Sequence, residues 1–112
     1  MPPRDLSYLT DILEAANQIR TFVHGVDKEQ FDGSALIQSA VIRQIEIIGE
    51  AAKRLSEEFK TAHPDIPWRH ISGMRDILIH AYDHVDIDEV WNVADASIPV
   101  LIKQIEPLIS PM

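Results

Sequence analysis

Cysteine is absent from the 112-residue chain, which excludes disulfides and thiolate metal sites and leaves the redox compartment open. No stretch approaches the ~20 apolar residues that a membrane span requires. The start, MPPRDLSYLTDILEAA, lacks the apolar run and small-residue cleavage site of a signal peptide. A chain without a targeting signal is expected to stay in the cytoplasm. Strand-type alternation, internal repeats, low-complexity tracts and domain linkers are missing as well. Basic charge is scarce: ten Lys and Arg stand against eighteen Asp and Glu, a net charge of −8. That balance argues against a generic nucleic-acid binder, whose surface is usually basic.

The charges are nevertheless unevenly placed. Residues 43–75 hold Arg43, Lys53, Arg54, Lys60, Arg69 and Arg75 against five acids, whereas residues 83–112 hold six acids and only Lys103. A locally neutral or basic groove inside an acidic protein is compatible with this distribution. The length suits one hydrophobic core, so a single helical domain over 1–112 is expected.

Almost everything reads at helical period. Leu6, Leu9, Leu13, Ala16, Ile19 (or Arg20) and Val23 make one apolar stripe over residues 5 to about 24, with Gly25 as a stop. The segment DKEQF follows as one or two turns capped by Asp27. A second long helix is expected from about Ser34 to about Lys60, with a seam at Ile37, Val41, Ile45, Ile48, Ala52, Leu55 and Phe59. A second row at Leu36, Ala40, Ile47 and Ala51 makes this face wide enough for a central helix or for contact with another subunit. Gly49, Ala51 and Ala52 permit close helix packing. Pro64 and Pro67 end this helix. A third helical region spans roughly Trp68 to Tyr82, with a break near Gly73. The last helix is capped by Asp86 or Asp88, and Pro99 predicts a kink in it. Trp68 and Trp91 fall on apolar seams and read as core anchors. The expected architecture is all-α, an up-and-down bundle of four to five helices.

Chemistry concentrates in MRDILIHAYDH, residues 74–84. On a helix Asp76 and His80 share a face one turn apart, so the carboxylate could hold an imidazole N–H and fix its tautomer. Arg75 and His80, five apart, lie about 140° apart around a straight helix. They are poor partners within one copy, but two copies across a symmetry axis would bring two arginines and two histidines into one groove. One histidine can then take the proton of an RNA 2′-hydroxyl while a second protonates the leaving 5′-oxygen. The guanidinium offers a planar charged fork to the phosphorane that develops between these steps. This chemistry needs no metal or cofactor, and its products are a 2′,3′-cyclic phosphate and a 5′-hydroxyl.

The Arg-x4-His-x-Tyr motif, here RDILIHAY, resembles that of HepT-type HEPN toxins. VIRQIEIIGEAAKRLSEEF, the turn and helix PWRHISGMRDILIHAY, and VDIDEVW are similar to the family's successive helices, so the resemblance covers most of the chain. It implies a HEPN-like helical homodimer acting as a metal-independent endoribonuclease toxin of a type II toxin–antitoxin system, with tRNA among the substrates. By motif position Arg75 and His80 would be catalytic, with Asp76 the polar residue after the arginine. A minimal nucleotidyltransferase antitoxin is the implied partner, neutralising the toxin by adenylylating Tyr82, where bulky anionic groups would repel RNA.

Asp76 is anionic where a neutral amide would suit a phosphate site better. With the net charge, it motivates an alternative: a non-catalytic HEPN interaction module that binds a nucleotidyltransferase. A third idea places a metal or small nucleotide at His80 and His84. The pair lacks the intervening Glu of HExxH and a third ligand, so no metal is assigned.

Overall fold

A computed structural model of the chain describes residues 2–81 and 84–109, with side chains described for 2–76 and 85–109. Helix α1 (Pro3–Val23) starts with proline at its first turn, where the missing N–H has no partner to lose, and ends before Gly25 at φ 73°. Helix α2 (Lys28–Asp32) has the expected cap, and the cap is reciprocal. Asp27 accepts from Gln30 N–H while the Gln30 side chain accepts from Asp27 N–H. Ser34 Oγ accepts from Ile37 N–H to open α3 (Ala35–Arg54).

The long second helix does not run to Lys60. It stops at Arg54, Leu55 turns extended, and Ser56 caps a separate helix, α4 (Glu57–Ala62), by accepting from Phe59 N–H. The break has a tertiary cause. The Ser56 N–H and hydroxyl both donate to the buried carboxylate of Asp5, at 2.8 and 2.7 Å. These bonds compete with continued helix at a residue type suited to caps. Burial alone would raise the Asp5 pKa. The Ser56 hydrogen bonds, helped by Arg4, hold it below the ordinary carboxylate value.

Asp5 also corrects the α1 stripe. The buried row is Asp5, Leu9, Ile12, Ala16 and Ile19, whereas Leu6 is exposed. The row on α3 similarly fades at its start, where Leu36 is 80 % exposed. Helix α3 is central, packing on α1, on α5 (Trp68–Ser72) and on α6 (Met74–Leu78). Trp68 is buried, stacks at a tilt on Phe59 and donates Nε1–H to the His63 carbonyl, which secures the proline-rich turn. Trp91 is half-buried against Phe31.

The third helical region breaks at Gly73, as expected, but it ends at Leu78 rather than Tyr82. Strand β1 (Ile79–Ala81) pairs antiparallel with β2 (His84–Val85), a short irregular ladder appended to an otherwise helical bundle. The Ile-Leu-Ile run at 77–79 carries no period of its own and suits a strand as well as a helix. Asp86 caps α7 (Ile87–Asn92) by accepting from Glu89 N–H. The disturbance expected at Pro99 takes the form of a π-helical turn, Val93–Ser97, immediately before α8 (Ile98–Ile109). Widening that turn moves the Asp95 carbonyl away from a residue that cannot donate to it and would clash with it. The core is built mainly from α1, α3 and α8, around Leu9, Ile12, Ile45, Ile48, Ile98 and Ile105. Burying each of these side chains contributes about 1.5–3 kcal/mol. Among the described residues no helix is long and apolar enough to cross a membrane.

Candidate functional site

Met74, the first residue of α6, is buried, and it anchors the helix so that the next two residues face outward. Arg75 is 52 % exposed and donates Nε–H to Glu46 Oε2 of α3 at 3.0 Å. Its Nη1 lies 3.7 Å from Asp76 Oδ1, a looser contact to a carboxylate that is itself 68 % exposed. Glu46 therefore holds one edge of the guanidinium and turns the other edge outward. A planar fork tethered at Nε retains its Nη donors for an anion.

The position of α6 depends on a close approach beneath it. A Cβ on Gly49 of α3 would meet the Ser72 carbonyl oxygen at 3.2 Å. A side chain at this position would require the Ser72 carbonyl to give by a few tenths of an ångström. Gly49 thus provides the close packing expected of this segment, against the residue three before Arg75.

Arg75 is among the residues that line a groove of about 560 Å³ along α1 and α3. Arg43, Lys53 and Arg54 line it from α3, together with Glu46 and Glu50, and α1 contributes Tyr8 and Asp11. Arg54 donates to Glu50 Oε1 at 3.1 Å. That bond first, and the neighbouring Tyr8 hydroxyl second, hold its guanidinium above the ordinary arginine value. Arg43 and Lys53 are exposed and have no ion-pair partner among the described residues. The groove is therefore locally cationic although the chain is acidic.

The other expected site residues are placed less completely. The backbone of His80 lies in β1, two residues beyond the end of α6, so the helical spacing that put Asp76 and His80 on one face does not apply. The His80 side chain and Tyr82 lie outside the described residues. The structure joins Arg75 to Asp76 and adds Glu46 and Tyr8, which the motif did not single out. Glu46 lies inside the VIRQIEIIGEAAKRL segment, but its pairing over 29 residues has no local signal. Among the described residues no three His, Asp or Glu converge as a metal cluster.

A family model described as "Ribonuclease HepT-like" matches residues 12–108. The chain is 46 % identical over 101 residues to "Probable ribonuclease HepT" of Thermococcus cleftensis, covering 90 % of this chain and 92 % of that one. It is 40 % identical over 113 residues to "Putative RNase MJ0125" of Methanocaldococcus jannaschii, covering 100 % of this chain and 97 % of that one. No solved structure matches it significantly.

Proposed function

The chain belongs to the HepT-like ribonuclease family, and from that premise we propose that it is a metal-independent endoribonuclease, the toxin of a type II toxin–antitoxin pair, cutting tRNA at a homodimer interface. The observation that carries the reading is the exposed Arg75 guanidinium, tethered by Glu46 in the lining of a cationic groove. In the working dimer one His80 takes the 2′-hydroxyl proton, and the 2′-oxygen attacks phosphorus. Arg75 donates to the phosphorane oxygens, and the partner copy's His80 protonates the departing 5′-oxygen. Asp76, whose Oδ1 lies 3.7 Å from Arg75 Nη1, orients the site. A minimal nucleotidyltransferase antitoxin would silence the enzyme by adenylylating Tyr82, two residues beyond His80, setting an anionic group beside the RNA path.

The test is cleavage of total tRNA in excess EDTA by the wild-type protein and by His80→Ala, with analysis of product ends. Wild-type cleavage leaving 2′,3′-cyclic phosphates, reduced by roughly 10²–10⁴-fold in the variant, is expected. Equal cleavage by both would remove His80 from the mechanism. Cleavage by neither, with Tyr82 unmodified by mass and folding intact, would favour a non-catalytic module that binds a nucleotidyltransferase. The carboxylates of Glu46 and Asp76 on either side of Arg75 are the observation that keeps this second reading in view.

A further inference from the structure

We propose that the outward face of α3 is the track for the RNA strand beside the scissile phosphate, with Arg43, Lys53 and Arg54 binding successive backbone phosphates. This rests on the ribonuclease reading of Arg75 and extends it along the groove. Arg43, Glu46, Glu50 and Lys53 recur at three- and four-residue spacing, so they lie along one side of the helix, with Arg54 beside Lys53. The eleven steps from Arg43 to Arg54 span about 16 Å at 1.5 Å per residue. That is room for several nucleotides of an extended strand.

The carboxylates on this face do not cancel it. Glu46 is engaged by Arg75 and Glu50 by Arg54. Arg43 and Lys53, one towards each end of the face, are left without an ion-pair partner among the described residues. Asp11, on the α1 wall, repels phosphate and so keeps the backbone on the α3 side. The chain as a whole is acidic, and a polyanion is drawn to a face where cations outnumber carboxylates, as they do along this groove. Half-buried Tyr8, at the Arg54 end, offers a ring for a base to stack on.

The test uses the full-length protein and two readouts. The first is fluorescence anisotropy with a labelled single-stranded RNA that is 2′-O-methylated throughout and cannot be cut by 2′-oxygen attack. The second is steady-state cleavage of the unmodified RNA. The double variant Arg43→Ala/Lys53→Ala should weaken binding and raise KM on the order of tenfold with kcat nearly unchanged. The slope of log affinity against log salt should fall by about one for each contact removed. Lys103→Ala, which removes an exposed cation from α8, should change neither readout, so net charge alone does not account for the effect. Unchanged affinity and salt slope in the double variant would overturn the track, whether or not the protein cuts RNA. If the wild type fails to cut but binds, and the double variant binds less tightly, the track stands and the catalytic reading falls. A polyglutamate peptide of matched charge that displaces the RNA at equal concentration would reassign the face to an acidic protein partner.

Discussion

Replacing Asp5 by alanine is the most demanding check on how the N-terminus of α1 is tied down. The carboxylate is fully buried and accepts the N–H and the hydroxyl of Ser56 at 2.8 and 2.7 Å. A hydrogen bond to a charged group contributes about 1.5–3 kcal/mol, and truncation also strands the Ser56 N–H. Removing the carboxylate returns part of its desolvation cost. A net loss of about 2–4 kcal/mol is therefore expected at neutral pH. At about 4–8 °C per kcal/mol for a small domain, Tm should fall by roughly 8–30 °C. The pH dependence gives a second handle. Burial pushes the Asp5 pKa up, but the Ser56 bonds and Arg4 bring the net value below the ordinary one. A depressed folded-state pKa contributes stability that is fully present above the unfolded value, about 4, and is lost as pH falls through the folded value. Urea titrations followed by circular dichroism at pH 7 and near pH 3 would show the gap between wild type and variant narrowing in acid. A gap under about 1 kcal/mol at pH 7, or one equally wide at both pH values, would refute this account.

Two further substitutions probe the site itself. Arg75→Ala should lower kcat by roughly 10²–10³-fold, the usual cost of removing a donor to a developing oxyanion. Arg75→Lys should recover only part of that, because an ammonium cannot be tethered by Glu46 and still offer a planar fork. Stability should move by less than about 1 kcal/mol, since the Glu46 pair is half exposed; unchanged turnover in Arg75→Ala would remove the guanidinium from the chemistry. Gly49→Ala gains about 1 kcal/mol of helix propensity. Its Cβ must displace the Ser72 carbonyl, at a cost of about 1–3 kcal/mol, and the shift carries Arg75 with it. A lower Tm together with a lower kcat is expected, and a variant more stable than wild type with full activity would show that the close approach is not required.

What was legible in the amino-acid order was local. Asp27 as the cap of α2, Gly25 after α1 and Asp86, one of the two residues expected to cap the last helix, each act within four residues and stand where their chemistry indicated. The failures required a partner far along the chain. No periodicity argument buries Asp5 in place of Leu6, because the residue that makes this tolerable, Ser56, is 51 positions away. The same pairing splits the long helix at Leu55, inside a run whose residues favour helix on both sides. The end of α6 was missed for a different reason: an apolar triplet without polar neighbours has no period, so Ile77–Ile79 reads equally as helix or strand. Charge shows most clearly what counting omits. A net charge of −8 weighs against an RNA ligand only if charge is spread evenly, and a polyanion responds to the local field. The clustering of Lys and Arg between residues 43 and 75 was visible as a tally. Its meaning depends on a fact a tally lacks: Arg43, Lys53, Arg54 and Arg75 line one groove. Two of the opposing carboxylates in that groove, Glu46 and Glu50, are already engaged by arginines. Arg75 is exposed directly after the buried Met74, an arrangement that the motif itself does not specify.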